Sequence, residues 1–321
     1  AAFDTTGTFT GTIGKAVVTV ASGKTMTTTA AKATTEFITG AGTVAITALD
    51  QTLDANLTNI DATTVTAAFD NDGTFTGTIG SAVVTVANAA TMTTTAAKAS
   101  AKTIDGAGTI AITDLHLTLD ANLSSVVTDT VTAAFDGTGT FTGTIGSAAV
   151  TVGVGGTMTT TASKVTTETI DGAGTVAITD LHSTLDADLS AIVTDTVTAA
   201  FDGSGTFIGD LGTAVVTVAD SVTMTAAYNK LNGKTVNHDG SENAQAVVVT
   251  IAAADAAGDL SNITSNITNL TANFTESQTF AGSLNSKTAA VTDGVTVTAA
   301  AATVTGDTIA AAGNGNVAIT A

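Results

Sequence analysis

The chain has 321 residues, with nine Lys or Arg against 28 Asp or Glu and a net charge of −19. That balance repels nucleic acid and anionic membrane surfaces, and no apolar run is long enough to insert into a membrane as a helix. There is no Pro, Cys or Trp, so disulfide and thiolate chemistry are excluded, while a hydrophobic share of 44% with 12% charged residues is at odds with disorder.

Self-similarity organises everything else. The string AAFD begins at Ala1, Ala67, Ala133 and Ala199, a period of 66 residues. The spacing predicts one repeat array over residues 1–321, with repeats at 1–66, 67–132, 133–198 and 199–271 and a partial fifth at 272–321. The fourth copy is longer by seven residues, counted from Phe201 to Phe274. The extra length is assigned to a polar excursion loop, Leu231–Gln245, the one irregular segment able to line a pocket. The fifth copy opens on ANF at Ala272 and closes part-way, on VAITA. Neither end reads as a cap, which suggests a segment of a longer array or a processed subunit.

Within the second copy, TFTGTI from Thr74, TMTTTA from Thr91 and TLDANL from Thr118 share one alternation. Alternation with period two is the mark of a half-buried strand. Phe75, Gly77 and Ile79, then Met92, Thr94 and Ala96, then Leu119, Ala121 and Leu123 form the inward set. Threonines fill most of the outward positions, where β-branching suits strand geometry. A further strand follows each string: AVVTV from Ala82, TIAIT from Thr109 and TVTAAF from Thr130. NDG at Asn71–Gly73 and DGAG at Asp105–Gly108 read as turns between them. The missing proline fits interior strands, where it would delete a ladder hydrogen bond.

This pattern predicts an all-β protein, a β-solenoid of the parallel β-helix kind, with about three rungs per 66-residue repeat. Equivalent residues, such as Phe69 with Phe135 and Met92 with Met158, are expected to stack in files. The alternative is a tandem of small β-sandwich domains, although 66 residues is short for such a unit.

Chemistry-bearing residues are sparse. Asp4, Asp70, Asp72, Asp136 and Asp202 lie in Gly-containing turns and are weak calcium candidates. The partial resemblance of DNDG at Asp70–Gly73 to a calcium loop lacks the bidentate glutamate, and turn formation is the simpler reading. His116 and His182 occupy equivalent positions, about 14 Å apart at three rungs, too far for one metal. His238 lies in the excursion loop. No nucleophile–base pairing, phosphate loop or zinc spacing is present, so no catalytic residue is named and an enzyme is not expected. Lys32, Lys98, Lys164 and Lys230 recur at one position, as charges opposing edge-to-edge association or as contacts for acidic turns of a neighbour. N-x-[ST] strings occur at Asn56, Asn122, Asn262, Asn266, Asn269 and Asn273.

The Ala/Thr/Gly/Val-rich, proline-free strand repeats resemble those of large secreted bacterial surface proteins of the adhesin, S-layer and extracellular filament type. The resemblance covers the whole chain and rests on composition and repeat style. It implies an extracellular or cell-surface structural role, as a filament, sheath or surface-layer subunit whose partner is itself, with calcium the one cofactor to consider. An adhesin stalk is one alternative. An ice-binding protein is another, using outward threonine rows such as Thr8/Thr10, Thr25/Thr27, Thr74/Thr76 and Thr91/Thr93.

Overall fold

The computed structural model describes residues 1–240 and 245–321. It divides into two compact units, Ala1–Met158 with Thr169–Gly174, and Thr159–Glu168 with Thr175–Ala321. Each unit is a stack of parallel strand ladders, so the fold is a parallel β-solenoid. Parallel pairing at every one of these ladders disposes of the sandwich alternative, which is built from antiparallel sheets.

In the first unit the second repeat fills three rungs. The first carries Ile60–Phe69 and Gly73–Thr74. The second carries Val83–Val86, Thr91–Thr95 and a one-turn helix, Ala96–Ala99. The third carries Ile104–Thr113 and a 3-10 turn, Leu115–Leu117. Thr66–Phe69 pairs with Val83–Val86, Thr91–Thr95 with Thr109–Thr113, and Ile104–Ile112 with Val126–Ala133, in the strand that runs on into the next repeat. At one corner, hydrogen bonds join residues 22 apart, such as Lys102 to Gly80 and Asn122 to Ser100. That interval is one third of the repeat, which agrees with three rungs.

The second unit continues the scheme. Val215–Val218 lies between Thr198–Phe201 and Thr235–His238, and Thr223–Ala227 pairs with Ala246–Thr250. Thr296–Ala300 pairs with Asn316–Thr320.

The core lies inside the rungs, and the alternation places it there. Phe69, Phe75, Phe135 and Phe141 are fully buried, as are Met92, Ile110 and Ile112. Thr94 is the one buried threonine of its string, and its Oγ1 donates to Phe75 O at 3.0 Å, which satisfies the hydroxyl.

Five expectations are corrected. First, equivalent residues do not stack. Met92 lies between Gly73 and Ile110, and Phe69 pairs with Val86. The file through Thr74 runs to Thr93, Ala111, Thr132 and Ala149, so three rungs on it has missed Thr140, the repeat equivalent. The outward row is therefore interrupted by alanine. Second, Thr118–Leu123 is not a strand. It follows the 3-10 turn and closes on itself through Ala121 N to Thr118 O at 3.0 Å. The strand at Thr74 likewise ends there, at Gly73–Thr74. Third, DGAG does not separate two strands. It is a bulge inside Ile104–Thr113, where Gly106 pairs with Thr128 but Thr109 with Thr130. Fourth, Lys32, Lys98, Lys164 and Lys230 lie in one-turn helices and are half-buried. Alanines at both ends of the turn, Ala96 and Ala99, are buried, and small side chains let the backbone coil against the interior. Fifth, Thr235–His238, assigned to the excursion loop, is a ladder strand in register with Val215–Val218. The rest of that loop includes residues 241–244, which lie outside the described residues.

Candidate functional site

Two corners of the coil collect the polar side chains. The first is built on an N/D-Leu-S/T string that recurs in each complete repeat. Asn56 Oδ1 accepts from Thr58 N at 3.1 Å and from its Oγ1 at 2.6 Å. Asn122 accepts from Ser124 N, Asp188 from Ser190 N and Oγ, and Asp259 from Ser261 N. These are Asx turns, which spare the chain a longer corner loop. Two N-x-[ST] strings, at Asn56 and Asn122, are accounted for by this geometry, since aspartate performs the same task in the third and fourth copies. Hydrogen bonds from Ser190 hold the Asp188 carboxyl below the usual carboxylate range, and those from Ser261 do the same for Asp259.

The rung below supplies a hydroxyl to the same turn. Thr34 Oγ1, Ser100 Oγ and Thr166 Oγ1 accept from the N–H of Asn56, Asn122 and Asp188 at 2.8, 3.0 and 2.9 Å. Two residues past each of these hydroxyls the repeat carries Glu36, Lys102 and Glu168, and then Lys234 in the fourth copy. Lys102 Nζ donates to Gly80 O at 2.9 Å, and Lys234 Nζ donates to Gly212 O. Burial pushes the Glu168 carboxyl up, because that position disfavours an anion. Glu36→Lys is therefore expected to place an ammonium on Gly14 O and to stabilise the protein by about 0.5–1 kcal/mol, less than the roughly 1.5–3 kcal/mol of a buried charged hydrogen bond because the position is only half-buried. Thermal unfolding of the variant beside wild type checks this; an unchanged or lowered Tm counts against the assignment.

The second corner is the Asp-containing turn after each AAF. Asp72 Oδ1 accepts from Thr91 N at 2.7 Å, the N–H that opens the next rung's strand. Thr6 Oγ1, Ser204 Oγ and Ser277 Oγ perform the same task for Thr25, Thr223 and Thr296. In these four copies the side chain is the acceptor and a hydroxyl serves as well as a carboxylate; in the third copy Thr157 N donates to the backbone Gly137 O instead, at 3.0 Å.

Beneath this turn lies the residue that is Asp50, His116 or His182. Asp50 accepts from Asn71 Nδ2 at 2.7 Å and from Asp70 N at 3.4 Å. His182 Nδ1 meets Asp202 Oδ1. His116 lies edge-on to Phe135, ring centroids 6.1 Å apart. The imidazoles explain Gly137 and Gly203: a Cβ there would lie 2.4 and 2.3 Å from the ring carbons of His116 and His182. Where the lower residue is the shorter Asp50, the upper one is Asn71.

The calcium candidates Asp4, Asp70, Asp136 and Asp202 are exposed and belong to turns of different repeats. Among the described residues, no three His, Asp or Glu side chains converge on a point that could hold a metal. His238 ends a strand, its N–H on Asn266 Oδ1 at 2.8 Å and its Nδ1 accepting from Gly240 N. Asn262 and Asn269 are exposed, and Asn273 is half-buried in Leu270–Phe274.

The Asx corner and its lysines escape a reading based on strands, although N-L-T, N-L-S and D-L-S recur at Asn56, Asn122, Asp188 and Asp259. Their signal is in register with the repeat but lies outside the alternating strings. No protein-family model matches the chain, and neither a curated protein nor a solved structure does.

Proposed function

We propose that the protein is an extracellular structural subunit of a filament, sheath or surface layer, assembling through the open strand edges of its ladders. The observation that supports this reading is the ladder itself: Val83–Val86 and Thr91–Thr95 each pair in parallel with a rung on either side, so one rung is added to the next by backbone hydrogen bonds in a single direction. A parallel strand edge of this kind is a template for another strand. A contact between unlike surfaces need not close, so it grows a fibre. The charge of −19 opposes such growth at low ionic strength, so assembly should need salt or a divalent cation to screen it.

Negative-stain electron microscopy at ~10 mM and ~150 mM NaCl, with and without calcium, tests this across the range where screening changes most. Ordered fibres or sheets that form with salt or calcium are expected. Monodisperse particles under every condition would sink the proposal and favour a stalk.

A further inference from the structure

The repeats supply their own control, because a position that only builds the coil should look alike in every copy. The fourth copy departs from the other three around one Asx corner. Asp210 stands where Thr12, Thr78 and Thr144 stand in the others. Asn229 replaces Ala31, Ala97 and Ser163, and Asn232 replaces Thr34, Ser100 and Thr166. Tyr228, the single tyrosine of the chain, replaces a buried alanine. Lys230 keeps the recurring lysine, and Lys234 is at the position of Lys102.

These substitutions enclose space. Asp210, Asn229, Lys230, Asn232 and Lys234 line an open cleft of about 400 Å³. Tyr228 is 8% exposed and works beneath it. Its hydroxyl accepts from Asp259 N at 2.9 Å and has Asn232 Oδ1 at 3.1 Å and Asp259 O at 3.3 Å as acceptors for its proton, the amide oxygen being the nearer. With Oδ1 engaged by the phenol, Asn232 keeps its amide protons for a guest. Asp210 Oδ1 accepts from Gly212 N at 2.9 Å, which leaves Oδ2 as an acceptor. Lys234 uses one proton on Gly212 O and keeps two.

We infer that this cleft binds a carboxylate-bearing, hydroxyl-rich small molecule, a hexuronate unit. Two ammoniums and two amides are donors suited to a carboxylate and to sugar oxygens. Asp210 is an acceptor for sugar hydroxyls and repels a bare anion that would otherwise be drawn to the lysines. The volume suits one sugar ring with its water. The cation pair, which the second copy also carries at Lys98 and Lys102, draws an anionic guest toward a chain of charge −19, and only in the fourth copy do the amides of Asn229 and Asn232 stand beside it.

Titration of the full chain with sodium glucuronate, followed calorimetrically at low salt, tests this. Saturable binding with a Kd of about 1–10 mM is expected, the weak affinity of a small open site. Lys230→Gln and Asn229→Ala should each weaken it at least about fivefold, whereas Lys98→Gln, the same position in the second copy, should leave it unchanged. Thermal unfolding of each variant establishes that it is folded. Equal binding by wild type and both cleft variants, an equal loss in Lys98→Gln, or an equal response to acetate or inorganic phosphate would overturn the inference. The titration uses unassembled protein, so its outcome is independent of whether the chain forms fibres.

Discussion

Gly106→Ala, like the equivalent changes at Gly40 and Gly172, is expected to be among the most damaging single-methyl changes in the first unit. Gly106 has φ of +114°, a region that side chains other than glycine's rarely adopt. A Cβ there would lie 2.2 Å from Val86 O and 2.8 Å from Val86 N of the rung below, both backbone atoms that cannot swing aside. Strain and clash act together, and the loss should reach about 4 kcal/mol. Guanidinium unfolding followed by circular dichroism measures it. Gly7→Ala is the matched control, since a methyl at Gly7 would meet nothing within 4 Å and the residue has no positive φ. Similar midpoints for the two variants would show that the bulge does not constrain the coil.

Phe69→Ala should cost a comparable amount for a different reason. Phe69 is wholly buried, in ladder register with Val86. Truncation removes the ring's burial and leaves a void that the rungs above and below cannot fill without breaking register, about 3–5 kcal/mol. Phe69→Leu, which keeps most of the volume, should cost no more than about 1.5 kcal/mol. Chemical unfolding of both variants gives the comparison. If Ala and Leu lose the same amount, the interior is looser than close packing requires.

The two variants probe features that differ in legibility. Phe69 is readable as part of a recurring inward pair, because alternation of large apolar and threonine side chains is local. The bulge at Gly106 reads as a turn. The letters DGAG suit either, and the choice depends on Val86 and Thr128, the residues stacked below and above. The one-turn helix Ala96–Ala99 is hidden for a similar reason: four small or flexible residues carry no helical period of their own, and it is the interior at Ala96 and Ala99 that coils them.

The polar corners are legible only in part. Asp72 stands out for its carboxylate, yet its position requires any acceptor for Thr91 N, as Ser204 and Ser277 attest in their own repeats. The cleft at Asp210, Asn229, Lys230, Asn232 and Lys234 joins residues up to 24 positions apart, counted from Asp210 to Lys234. Nothing in the strings shows that one coil of the chain brings them together.

The amino-acid sequence alone determined the 66-residue period, most of the strands, the inward phenylalanines and the three-rung repeat, all of which follow from short-range alternation and self-similarity. Which rung residue meets which was decided by the tertiary structure. Backbone hydrogen bonds between parallel strands are indifferent to side-chain identity, so likeness of strings does not set register. Corners and bulges set it instead, by adding or removing a residue between one ladder and the next. That is why Thr74 meets Thr93, and why its file has left the repeat behind by Thr132.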